Sequence, residues 1–240
     1  ADAQTATDNS AEDAAAADDS VPEDQLLSSR EQFSVAAKAA LLIDLNTNRV
    51  VYEQDADERV YPASLTKIMT CLIALENGNL SDVVTVSESA LADLDEDSSV
   101  AGLVVGEQMT LENLLYCMMV VSGNDACNVI AEHVAGSVTD FVRMMNQRAY
   151  ELGCTNTHFN NPHGLHDESH YTTARDLAII TQAALKSENF RQIVDTYEYK
   201  LPDDNMRQNI PKLKTTNMLI YQSMSNSLYY PRAHGIKTGY

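Results

Sequence analysis

Ser64 and Lys67 place a hydroxyl and a primary amine three residues apart in the stretch Tyr61-Pro62-Ala63-Ser64-Leu65-Thr66-Lys67-Ile68-Met69-Thr70. On a helix, residues i and i+3 share a face, so the two side chains can touch. A serine is a poor nucleophile until a neighbouring base takes its proton, and a desolvated lysine can be that base. The pair therefore suggests covalent catalysis by an activated serine. An S-x-x-K spacing also arises by chance in a chain of 240 residues, so the pair needs company. Two later stretches offer it. Ser122-Gly123-Asn124-Asp125-Ala126 is a polar break after an apolar run, where a scaffold presents side chains to a cleft. Its plainer reading is a helix N-cap at Ser122 with Asp125 three residues on. His234-Gly235-Ile236-Lys237-Thr238-Gly239-Tyr240 reads as a strand with glycines where a ligand backbone can approach. Each has a decoy: Ser187-Glu188-Asn189 repeats the S-x-N spacing, and Lys214-Thr215-Thr216 nearly repeats the lysine–threonine pair.

The elements around these residues follow from periodicity. Leu65, Ile68, Met69, Leu72, Ile73 and Leu75 recur at helical spacing, which predicts a helix from the Ser64 turn to Asn77-Gly78. Upstream, residues 39–45 and 49–53 flank Asn46-Thr47-Asn48 and read as a hairpin. Its first run is apolar on both faces, which predicts an inner strand covered on each side. Residues 111–121 are apolar almost all round, the pattern of a buried helix, with Thr110 at its N-cap. Further helices are expected over 126–134, 138–152, 174–185, 187–194 and 214–221, with short extended pieces at 83–86 and 197–201.

Composition narrows the function. The net charge is −19, which argues against nucleic-acid binding, since that wants a basic face. Residues 1–31 carry nine acids against Arg30 alone. The segment 1–33 is rich in Ala, Asp and Ser and reads as a disordered acidic spacer, with one domain over 34–240. No apolar run reaches the length of a membrane span, and no leader-like segment opens the chain. Cys71, Cys117, Cys127 and Cys154 include no C-x-x-C and read as buried free thiols rather than disulfides. Asp93, Asp95 and Asp97 resemble a calcium loop but lack its Gly and Glu. His158, His163, His166 and His170 cluster beside Asp167, yet their spacing fits no zinc pattern. The expectation is a protein without metal or cofactor.

Taken in order, Ser64-x-x-Lys67, Ser122-x-Asn124 and Lys237-Thr238-Gly239 form the three-motif set of serine penicillin-recognising enzymes. With Asn161-Pro162-His163-Gly164-Leu165 added, the chain from about Ala39 to Tyr240 resembles the low-molecular-mass penicillin-binding proteins, the serine-type D-alanyl-D-alanine carboxypeptidases. Class A β-lactamases usually carry Ser-Asp-Asn at the second motif, and Gly123 points away from them. The resemblance implies an α+β fold of the β-lactamase/DD-peptidase type: an antiparallel sheet flanked by helices, with an inserted, mostly helical lobe. The chain stops one residue after Gly239, so a catalytic domain with its C-terminal strands missing is expected.

The resemblance also implies roles. Ser64 would attack the carbonyl of a stem peptide ending in D-Ala-D-Ala, with Lys67 as base and Ser122 relaying a proton to the leaving amine. Burial and the second cation, Lys237, would both lower the Lys67 pKa. Asn124 would hold the substrate amide or orient Lys67, and Lys237 and Thr238 would hold the substrate carboxylate. Gly239 would let the peptide lie alongside, and the Ser64 and Tyr240 N–H groups would form an oxyanion hole. β-Lactams would act as covalent inhibitors, and the setting would be extracytoplasmic, with any membrane anchor not visible in the chain. The alternatives are a non-catalytic penicillin- or peptidoglycan-binding module and a class A-like β-lactamase.

Overall fold

Strand-forming residues open the part of the chain that the computed structural model describes, residues 35–92, 94, 98–223 and 225–239. The expected acidic spacer, the Asp93, Asp95 and Asp97 run, and Tyr240 lie outside these residues. The chain divides after Ala36, and among the described residues every element falls in the unit from Ala37 onward. Strands β1 (Ala40–Asp44) and β2 (Arg49–Gln54) pair antiparallel, with Ala40 opposite Gln54 and a bulge between Leu42 and Ile43. Asp44 closes their turn by accepting from the Asn46 N–H at 2.9 Å and the Thr47 hydroxyl at 2.7 Å.

The apolar run of β1 predicts cover on both faces, and the structure corrects this. Leu42 is 55% exposed. Among the described residues β1 pairs only with β2, so it is not an inner strand, and the face carrying Leu42 lies open.

Pro62 leads into a 3-10 turn, Ala63–Thr66, which continues as helix α1, Lys67–Asn77. Every residue from Lys67 to Ala74 is buried. Two short strands follow, β3 (Val83–Thr85) and β4 (Gln108–Thr110), paired antiparallel, with helix α2 (Glu88–Ala92) between them in sequence. Helix α3 (Leu111–Val120) begins at Thr110, whose side chain accepts from the Asn113 N–H at 3.2 Å. All of it but Glu112 is buried, as its unbroken apolar sequence requires. Helix α4 (Asn124–Ala135) packs beside it, and α5 (Val138–Glu151) buries Phe141, Met145 and Ala149 at spacing i, i+4, i+8. Helices α6 (Ala174–Ala184) and α7 (Glu188–Val194) are capped by Thr173 and Ser187. Strands β5 (Glu198–Tyr199) and β6 (Leu213–Lys214) pair last.

Helix α1 is the centre of this packing, with α3, α4, α5, α6 and α7 all against it. Leu72, Leu115, Ile130, Phe141, Ile180 and Phe190 are buried in one cluster. Each such side chain contributes about 1.5–3 kcal/mol through removal from water. The four cysteines are free and buried in it. Burial pushes their thiols up, which keeps them unreactive. No helix among the described residues is long and apolar enough to cross a membrane.

Two expected elements are absent. Residues 214–221 do not form a helix. The Thr215 hydroxyl accepts from the Asn217 N–H at 3.1 Å, and Asn217 Oδ1 accepts from the Leu219 N–H at 3.0 Å. Such local bonds compete with a helix and make a turn instead. Lys237-Thr238-Gly239 is not a strand: among the described residues no neighbour offers it a ladder.

Candidate active site

The nucleophile turn is shaped by close backbone approach. Ala63 has a left-handed φ of 48°, unusual for a residue with a Cβ. Gly164, with φ of 95°, crosses directly over it, and a Cβ at Gly164 would lie 1.8 Å from the Ala63 carbonyl oxygen. This contact is what makes glycine necessary at position 164. Two bonds tie the loop around Gly164 to the 3-10 turn and α1. The Thr70 hydroxyl donates to the Pro162 carbonyl at 2.6 Å, and Thr66 Oγ1 meets His170 Nε2 at 2.8 Å.

Lys67 is fully buried, with 0% exposure. Its Nζ faces three acceptors: Asn124 Oδ1 at 2.7 Å, the His163 carbonyl at 2.8 Å and Ser64 Oγ at 3.1 Å. Burial lowers its pKa, while Cys127 and Asp125 nearby act in the opposite direction. The expected lysine–serine contact is therefore real, and it comes from one helical turn: the 3-10 turn and the first turn of α1 put both side chains on one face.

Ser122 Oγ donates to Ser64 Oγ at 3.0 Å. The plainer reading of Ser122 as a helix cap does not hold. The N-cap position of α4 is Gly123, and no side chain caps it. Ser122 instead takes a left-handed φ of 63°, which aims its hydroxyl at Ser64 rather than back at the helix. Asn124 starts α4 and turns its amide oxygen onto Lys67.

These residues border a cavity of about 250 Å³ that also takes in Ser98, His163, Thr238 and Gly239. The third motif thus reaches the site through Thr238 and Gly239. Lys237 is half-buried, and its Nζ donates to the Thr238 carbonyl at 2.8 Å. Burial, then the nearby Lys67, pushes Lys237 down to about 8. Of the two causes expected to lower Lys67, burial acts and Lys237 does not; the influence runs the other way, from Lys67 onto Lys237.

Sequence reasoning passed over four participants. Thr216, set aside as part of a chance lysine–threonine copy, lines the cavity and meets Thr238 Oγ1 at 2.5 Å. The His163 carbonyl holds Lys67, but a backbone acceptor has no signature in sequence. Ser98 and Ser99, in a stretch without apolar periodicity, also line the cavity. The histidine cluster separates into individual roles. His170 Nδ1 accepts from the Asn160 N–H at 3.2 Å, which leaves Nε2–H to donate to Thr66. His163 Nδ1 accepts from the Leu165 N–H at 3.2 Å, and His166 packs edge-on to Tyr61. Burial first, then Lys67, pushes His163 down to about 3, and burial pushes His170 to about 4. Both are neutral near pH 7.

The fold and this cluster define a class, a β-lactamase/DD-peptidase-like α+β domain with a serine–lysine centre in an open cavity. Residues 26–240 match the D-alanyl-D-alanine carboxypeptidase family, peptidase family S11, and the chain belongs to it. D-alanyl-D-alanine carboxypeptidase DacF of Bacillus subtilis is 42% identical over 85% of this chain and 51% of its own. DacA of Escherichia coli is 36% identical over 86% and 50%. The chain spans about half the length of the curated relatives it matches. Among solved structures, the Streptomyces K15 DD-transpeptidase superimposes with a TM-score of 0.76 at 32% identity, covering 86% of this chain and 81% of that one. Penicillin binding protein 5 of Haemophilus influenzae gives 0.70 at 35%, covering 78% and 54%.

Proposed function

We propose that this chain carries the catalytic centre of a serine D-Ala-D-Ala carboxypeptidase that removes the terminal D-alanine from peptidoglycan stem peptides outside the cytoplasmic membrane. One observation carries the reading: three oxygens lie within hydrogen-bond distance of Lys67 Nζ, and one of them is Ser64 Oγ. A neutral amine has two N–H donors and one lone pair. With the donors on Asn124 and the His163 carbonyl, the lone pair falls to the Ser64 hydroxyl. Ser64 then gives its proton to Lys67 as Oγ bonds to the carbonyl carbon of the penultimate D-alanine. The C–N bond breaks as the tetrahedral intermediate collapses. Ser122 passes its proton to the departing amine and is reprotonated from Lys67. Water, deprotonated in turn by Lys67, then releases the acyl group and restores Ser64. Thr238 and the Lys237 cation are suited to the substrate carboxylate, and Gly239 to a peptide lying alongside. The Ser64 N–H with the N–H of Tyr240 is the oxyanion site in this reading. The residues from 34 onward are the catalytic domain, and residues 1–33 a spacer ahead of it.

A fluorescent penicillin tests the reading, because a β-lactam acylates the same oxygen and deacylates slowly. Covalent labelling that disappears in Ser64→Ala, together with D-alanine release from a pentapeptide, supports it. No labelling of the wild type refutes it. Labelling without D-alanine release identifies a binding module instead, and fast nitrocefin turnover a β-lactamase.

A further inference from the structure

One side of the cavity is bordered by the start of a strap, Ser98 to Leu103, with no regular secondary structure. Ser98 and Ser99 line the cavity beside Ser122 and Asn124. Irregular backbone at a cleft needs something else to hold its amides. Here it is a single carboxylate. Asp125 Oδ1 accepts from the Ala101 N–H at 2.9 Å, and Oδ2 from the Gly102 and Leu103 N–H groups at 2.9 and 3.0 Å. Asp125 is 2% exposed. The neighbouring Asn124 N–H donates to the Ser99 carbonyl at 2.8 Å. The strap is thus pinned to the first two residues of α4, and the first of these binds Lys67 through its side chain.

Gly123 records the same contact from beneath. Its φ of −61° is open to any residue, so backbone conformation does not require glycine. Space does: a Cβ would lie 2.8 Å from Asp125 Oδ1 and 3.1 Å from the Ala101 nitrogen and Cβ. On the far side, Arg207 Nη1 donates to the Gly102 carbonyl at 2.8 Å. Arg207 is itself paired with the buried Glu107, whose Oε2 accepts from the Val104 N–H at 3.0 Å. Finally, Ser98 Oγ is buried without a hydrogen-bond partner among the described residues. A buried hydroxyl normally finds a partner, and the residue that carries this one borders the cavity.

We propose that Asp125 is a positioning residue: it fixes the Ser98–Leu103 strap as one wall of the substrate cavity, with Gly123 as the recess that receives it. The wall so held meets the cavity through Ser98 and Ser99. This rests on the peptidase reading above.

The test uses Asp125→Asn, which keeps the size but turns an amide NH2 toward backbone N–H groups. Hydrogen exchange at residues 98–104 reads the strap without reference to activity. Exchange there is expected to accelerate at least tenfold while α1 and α3 stay protected. The kcat/KM for D-alanine release is expected to fall about tenfold, mainly through KM, since the wall meets substrate and not the reacting atoms. Gly123→Ala pushes on the strap with Asp125 intact and is expected to give the same exchange and KM pattern, so it decides the matter if Asp125→Asn does not fold. Unchanged strap exchange in both variants overturns the proposal. So does a loosened strap with unchanged kcat/KM. A wild type that penicillin does not label refutes the peptidase reading, and the exchange result still decides whether Asp125 holds the strap.

Discussion

Replacing Gly164 by alanine is expected to damage the site more than the fold. The new Cβ would start 1.8 Å from the Ala63 carbonyl oxygen and 2.4 Å from its carbon. Both are backbone atoms, so no side chain can swing aside. Retreat to the 3.0 Å that real Cβ contacts tolerate requires about 1.2 Å of movement. The left-handed φ adds roughly 1–2 kcal/mol for any residue with a Cβ, and the overpacking roughly 1–3 kcal/mol. Together these lower the Tm by roughly 10 °C in a domain of this size. The catalytic loss is larger, because Ala63 precedes Ser64 and the same loop supplies the His163 carbonyl to Lys67. A misplacement of about 1 Å at reacting groups costs about 100-fold. The assay is the second-order rate of Ser64 acylation by a fluorescent penicillin, measured well below both melting temperatures. Gly153→Ala is the control, since Gly153 has a φ of 82° but nothing within 4 Å of its Cβ position. It is expected to lose only roughly 1–2 kcal/mol and to acylate normally. Acylation of Gly164→Ala within threefold of the wild type would refute the reasoning.

Two further predictions concern pH. Lys67 is active as base when neutral and its pKa is lowered, so kcat/KM rises as pH passes up through that value. It falls again as Lys237, near 8, loses the charge that meets the substrate carboxylate, and a Lys237→Met variant loses that upper limb together with most carboxylate binding. A profile flat from mildly acidic to mildly alkaline pH contradicts both roles. For stability, His163 and His170 are held near 3 and 4 in the fold against about 6.5 unfolded. The unfolded chain therefore binds more protons in between, and their contribution is complete above about pH 6.5 and is lost as pH falls toward 4. Urea unfolding across that window is expected to show the loss, and His170→Gln to flatten about half of the histidine share.

What was legible in the sequence was what repeats at fixed spacing. The i, i+3 relation placed Lys67 against Ser64, and the unbroken apolar run of α3 marked a buried helix before any contact was known. The segment ending at Gly239 was legible as residues but not as structure. A strand exists only with a neighbour, and nothing within a single segment says whether one is there. Residues 214–221 failed for the opposite reason, since Thr215 and Asn217 offered local side-chain bonds that outweigh a modest helical pattern. The contacts that build the site were hidden because they are made by backbone: the His163 carbonyl, the three amides of the strap and the Ala63 carbonyl under Gly164.

That concealment has a physical root. Ser122 itself, and Ala63 just before Ser64, hold left-handed φ with a side chain attached, a strain of about 1–3 kcal/mol each. A strained turn persists only where its surroundings over-determine it. For Ala63 the surroundings are Gly164 and the loop tied down by Thr70 and His170, about a hundred residues downstream. For Ser122 they include the bonds of the next residues to the strap at 99–103. The motifs name the residues that react, but the aim of both hydroxyls is set by segments distant in sequence. Changes in those segments, such as Gly164→Ala and Asp125→Asn, are therefore expected to alter the chemistry with every motif residue in place.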